Sequence, residues 1–163
     1  MLAWQSARNE ARAILAAVPV SKHGLGSLTE IANMLGAEVW VRNLDPDISG
    51  FVVKEPSKSP EIFINALDTP QRQRFTLAHE IGHLIDRMNL AEDDDYSFID
   101  HRASKHYDLH EFYADEFAGE LLMPADRFHE IIQEQGEYAA AAEFGVSLPA
   151  VRKRLSRLKK NPE

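Results

Sequence analysis

The sequence predicts an α+β fold: a small antiparallel three-stranded sheet packed on one long helix, followed by a mostly helical C-terminal half. Three observations carry this. Apolar residues recur at helical spacing around Phe75, Ala78, Ile81 and Ile85, and Gly82 is the one helix-weakening residue between Arg74 and Met88. Between Ala37 and Asn65 the period changes to two, in three short runs rich in Val, Ile and aromatic residues. From Glu111 onward the helical period returns, with stops at Pro124 and Gly136.

In chain order, Ser6 to Ala17 reads as a helix rich in alanine, ended by Pro19, and Ser27 or Thr29 caps a second that ends at Leu35-Gly36. The strands are expected around Val39 to Val41, Gly50 to Lys54 and Glu61 to Asn65, with Asp45-Pro46-Asp47 and Pro56 to Pro60 turning the chain between them. Such a small sheet needs a helix on one face, and Arg74 to Met88 is the helix available. If the third strand is an edge, it can receive an extended peptide by strand addition. Residues 86 to 106 read as an acidic, solvated loop, with Glu92 to Asp95 in a row. A helix from Glu111 to Met123 follows, then Asp126 to Gln135, and finally a helix-turn-helix outline in Glu137 to Val146 and Pro149 to Leu158. The expected organisation is one domain over 1–163, with a core at 27–123 and a helical, helix-turn-helix-like subregion at 124–163.

The chemistry is concentrated in His79-Glu80-Ile81-Gly82-His83. Residues four apart on a helix share a face, so both imidazoles can address one ion while Glu80 projects beside them. Two neutral imidazoles and one further ligand form the protein shell that metal-assisted hydrolysis needs, and Glu80 is placed to act as general base. The chain has no cysteine, so a metal here must use nitrogen and oxygen donors. Glu111 fits the third position, and Asp115, one turn on, fits as acceptor for the far ring N–H of one of the histidines. Glu116 and Glu120 lie elsewhere on that helix and are expected on the surface. His101, His106, Tyr107 and His110 are candidates to donate to a developing oxyanion, and the sequence does not choose among them.

Charge and composition set further bounds. A net charge of −8 argues against broad nucleic-acid affinity, although Arg152, Lys153, Arg154 and Arg157 make the tail locally basic and are the candidates for a direct nucleic-acid contact. No signal peptide or membrane-length apolar run is visible, and a cytoplasmic location is expected.

The two blocks together, Arg74-Phe75-Thr76-Leu77-Ala78-His79-Glu80-Ile81-Gly82-His83 and Glu111-x-x-Ala114-Asp115-x-Phe117-Ala118-x-x-Leu121-Leu122-Met123-Pro124, resemble the zinc metallopeptidase-like family named after the anti-repressor ImmA and the radiation-response regulator IrrE. The resemblance runs from about Leu28 to Leu158. It implies Zn²⁺ held by His79, His83 and Glu111, with Glu80 as general base. Many members carry Asn where this chain has Asp115. It also implies a protein substrate, a DNA-binding helix-turn-helix repressor or an antitoxin, whose cleavage switches on mobile-element, phage or stress genes. The alternative it leaves is a non-proteolytic module with a peptidase fold that binds a repressor, antitoxin or DNA in a regulatory or toxin–antitoxin system.

Overall fold

The computed structural model describes residues 1–89 and 107–163, and the backbone of 96–101. The helices are α1 (Ala3–Ala17), α2 (Gly26–Met34), α3 (Pro70–Asn89), α4 (Leu109–Leu122), α5 (Ala125–Gln135), α6 (Glu137–Phe144) and α7 (Leu148–Lys160). The strands are β1 (Glu38–Arg42), β2 (Ile48–Lys54), β3 (Glu61–Asn65) and β4 (Tyr96–His101). The α+β class holds, and the central helix begins one turn before the expected Arg74.

The sheet differs from the expectation in two respects. It has four strands in the order β1-β3-β2-β4, and β1 runs parallel to β3, so it is mixed rather than antiparallel. The fourth strand lies in the segment read as loop, because an acidic run just before it masks a short apolar alternation. The parallel pair follows from the link at residues 43–47, which carries the chain past one strand position and leaves the slot for β3. Asn65 fastens that link. Its side chain is fully buried, donates to the carbonyls of Asp45 (3.2 Å) and Ile48 (2.9 Å), and accepts from the amides of Leu44 (3.3 Å) and Leu67 (3.0 Å). All four hydrogen-bonding positions of the amide are thus used. β3, with Ile62 and Ile64 fully buried, belongs in the middle, whereas β1 is mostly exposed and forms an edge. A strand-adding peptide therefore has no free edge on β3; the sheet's edges are β1 and β4.

The elements stack as sheet, α3, α4 and α1 in turn. α3 lies against β2 and β3, and one glycine lets it do so. A Cβ on Gly50 would stand 2.7 Å from the Phe63 carbonyl oxygen and 2.8 Å from Thr76 Cγ2, too close for any other residue without displacing the helix. Val52, Ile62, Ile64, Leu77, Ile81 and Leu84 fill the space between sheet and helix. Arg74 sets the other end: buried, with burial pulling its guanidinium down, it donates to the carbonyls of Gly24 (2.9 Å), Gly145 (3.1 Å) and Phe144 (3.3 Å). The carbonyls at the C-terminus of α6 carry partial negative charge, which favours a cation there.

α4 is buried on nearly every side, from Tyr113 to Leu122. Asp108 caps it by accepting from the Glu111 amide at 2.9 Å. Ser147 likewise caps α7. Glu116 and Glu120, expected on the surface, are 0% and 2% exposed. Arginines explain why α4 can carry them inward. Arg8 of α1 reaches Glu116 at 3.0 Å, Arg12 reaches Glu120 at 2.8 Å, Arg154 of α7 bonds Glu120, and Arg157 reaches Glu116 at 3.2 Å. The signal was present as three helices with charge pairs at one-turn spacing, Arg8/Arg12, Glu116/Glu120 and Arg154/Arg157, but single-helix patterns do not say which helices meet. Among the described residues, no helix is long and apolar enough to cross a membrane.

Candidate metal centre

α3 brings His79 and His83 to one face, and α4 presents Glu111 opposite them. One ligand atom from each lies within 4.8 Å of the others, a group that could hold a metal ion. His79 Nε2 is 3.1 Å from Glu111 Oε2 and His83 Nε2 is 2.9 Å from Glu111 Oε1. The two rings meet edge to face, with centroids 4.7 Å apart. Burial alone would raise the Glu111 carboxyl, but its contacts with the two imidazoles bring it down to about 2. Burial lowers His83, which keeps its imidazole neutral near pH 7, the form that ligates metal.

The approach of α4 to α3 depends on Gly82. A Cβ there would lie 3.0 Å from Ala114 Cα, 3.1 Å from Phe117 Cδ1 and 3.2 Å from the Ala114 carbonyl oxygen. Alanine favours a helix over glycine by about 1 kcal/mol. Even so, Gly82→Ala is expected to destabilise the protein by about 1–3 kcal/mol through overpacking, and to weaken metal binding because Glu111 is carried on the displaced helix. Thermal unfolding and a zinc titration check this; a more stable variant with unchanged zinc affinity would contradict it.

Asp115 stands behind His79. Its Oδ1 is 2.9 Å from His79 Nδ1, while Oδ2 accepts from Tyr107 Oη (2.9 Å), Lys153 Nζ (3.0 Å) and an Arg157 Nη (3.2 Å). Burial opposes ionisation of Asp115, but His79 and Lys153 hold its carboxyl below the usual range. An ionised Asp115 accepts the proton of Nδ1, which leaves the lone pair of His79 on Nε2. Three lone-pair donors, two imidazole nitrogens and a carboxylate, then face one point, an arrangement suited to a cation. Glu80 follows His79 on the same helix. It is completely buried, and neither carboxylate oxygen has a hydrogen-bond partner among the described residues. An unpartnered buried carboxylate is costly unless a cation or a water stands near it. The donor set and Glu80 together fit a divalent metal.

The remaining candidates fall elsewhere. His110 Nδ1 is 2.6 Å from Asp86 Oδ2, tying the end of α3 to the start of α4 beside Glu111. His101 closes β4, its backbone opposite Ile48, and its side chain lies outside the described residues, as does His106. The Tyr107 hydroxyl is engaged with Asp115 and Arg157; burial and the charge of Asp115 push it up to about 12, so it remains a donor at neutral pH. Of the basic tail, Arg154 is buried against Glu120, Arg157 lies on Asp115 and Glu116, Lys153 on Asp115, and Arg152 is exposed and 3.0 Å from Glu137. A buried guanidinium already bound to carboxylates offers little to a phosphate.

Comparison with known proteins agrees with this architecture. A peptidase family model, the IrrE N-terminal-like domain, matches residues 34–156. Among solved structures, a Mycobacterium tuberculosis transcriptional regulator is similar, with a TM-score of 0.71 at 21% identity, over 96% of this chain and 48% of that one. At that identity the likeness is one of fold, and this chain spans about half the length of that regulator. A search of curated proteins gives no significant match. The family model takes in both the His79 to His83 helix and the Glu111 to Asp115 turn and covers most of the chain, which therefore belongs to the IrrE N-terminal-like peptidase family.

Proposed function

We propose that the protein is a zinc-dependent endopeptidase acting on a specific protein, a helix-turn-helix repressor or an antitoxin. The observation that carries the reading is the convergence of His79, His83 and Glu111 beside a buried Glu80 that has no hydrogen-bond partner among the described residues. His79, His83 and Glu111 would hold the ion. A bound Zn²⁺ supplies Lewis acidity toward the scissile carbonyl and acidifies a water. Glu80 would take the proton of the attacking water and return it to the amine nitrogen as the peptide bond breaks. Asp115 keeps the His79 proton on Nδ1 throughout. The choice of a DNA-binding regulator as substrate rests on family resemblance.

The test is incubation of zinc-loaded protein with purified helix-turn-helix regulators and antitoxins of the same organism, with Glu80→Gln as control. Cleavage by the wild type alone supports the reading; equal cleavage by both, or by neither, refutes it. A metal test needs no substrate. Zinc at about 100 times its Kd should raise stability by about 2.7 kcal/mol, reversibly with chelator, and His83→Ala should show no such gain.

A further inference from the structure

Asp115 receives four donors from three places in the fold. His79 Nδ1 meets Oδ1, and Tyr107, Lys153 and Arg157 all meet Oδ2. Two of the three on Oδ2 come from α7, the helix whose sequence suggests nucleic-acid contact. Lys153 is half exposed, yet its ammonium is turned to this carboxylate. Arg157 is held from other sides as well, by Glu116 at 3.2 Å, by Tyr107, and by its position 5.2 Å from the Phe112 ring centroid. α7 is itself seated by Val151 and Leu158, both buried, and by Arg154, which donates to the Met123 carbonyl at 3.2 Å.

The carboxylate torsion of an aspartate is broad and has no strong preference of its own. Fixing Oδ1 on His79 therefore requires that Oδ2 be fixed elsewhere. We propose that α7 is a positioning element of the metal centre: Lys153 and Arg157, with Tyr107, lock Asp115 so that His79 presents Nε2 toward Glu111 and His83. The inference rests on the reading of His79, His83 and Glu111 as metal ligands. It also makes a prediction against simple electrostatics. Removing a positive charge near a cation site should tighten metal binding, whereas loss of positioning weakens it. The coupling must be reciprocal, so metal binding should in turn hold α7 in place.

The experiment compares wild type with Lys153→Met, Tyr107→Phe, Arg157→Met, Arg157→Lys and the Lys153→Met/Arg157→Met double variant. Zinc affinity is measured by chelator competition, and the His79 ring by nitrogen NMR of the metal-free protein. The double variant should bind zinc about 10–100-fold more weakly, the range found for groups that orient ligands, and Arg157→Lys should recover part of the loss. His79 should carry its proton on Nδ1 in the wild type and exchange between both nitrogens in the double variant. Zinc should slow amide exchange across residues 148–160 in the wild type. Should Arg157→Met fail to fold because Glu116 loses a partner, the two milder variants, Lys153→Met and Tyr107→Phe, give the same comparison. Equal or tighter zinc binding with an unchanged ring overturns the proposal. A wild type that binds no zinc removes the metal reading instead, and the ring measurement then decides alone whether α7 positions His79.

Discussion

If the proposed hydrolysis holds, replacing Glu80 with glutamine should abolish it while leaving the fold at least as stable. Loss of a general base costs about 10²–10⁴-fold in rate. The stability effect has the opposite sign because Glu80 is fully buried and its carboxylate has no hydrogen-bond partner among the described residues. Glutamine keeps the shape and removes the charge. The metal-free variant should therefore be no less stable than the wild type, because a neutral amide costs less to bury than an ionised carboxylate. Zinc binding should survive, since His79, His83 and Glu111 are untouched. Denaturant unfolding without metal, zinc titration and the cleavage assay read the three consequences separately. Retained cleavage, or a variant that unfolds more easily, would show that Glu80 is a structural acid.

Arg154→Leu should produce the largest loss of stability of any substitution in the C-terminal helix. Arg154 is 2% exposed, bonds Glu120, lies 3.8 Å from Glu116 and packs its Cδ where a Cβ on Gly119 would come within 3.3 Å. Burial pulls its guanidinium down even with two carboxylates at hand. Removing it leaves buried Glu120 with Arg12 as its remaining cation, and breaking a buried pair in this way costs about 3–5 kcal/mol. Arg152→Leu, on the same helix but exposed and paired with half-buried Glu137, should change stability by no more than about 1 kcal/mol. Adding Glu120→Leu to Arg154→Leu should recover part of the loss, because two apolar groups in place of a buried pair are often neutral. Equal, small effects for Arg152 and Arg154 would mean that the buried network contributes little. Chemical denaturation of the three variants, read beside their zinc affinity, separates loss of the fold from loss of the centre.

The sequence by itself determined which residues can do chemistry and on what local structures they stand. The spacing of His79, Glu80 and His83 suffices to place them on one face of a helix, because that face is fixed by the helical repeat alone. Glu111 and Asp115 follow the same rule, and the change of period at Ala37 marks the strands with bounds close to those observed. The tertiary structure decided how these local pieces meet. Strand order depends on a link crossing one strand position and on Asn65 binding that link from 17 to 21 residues away. The distance from α3 to α4 depends on a missing Cβ at Gly82, and that from α3 to the sheet on one at Gly50. The charged residues were the least legible of all. Glu116 and Glu120 read as surface groups, and Arg154 and Arg157 as candidates for a phosphate, because a charge on one helix has no stated partner until another helix is laid against it. Once α1, α4 and α7 are packed, carboxylates and guanidinium groups far apart in sequence lie about 3 Å apart, and burial makes each depend on the other.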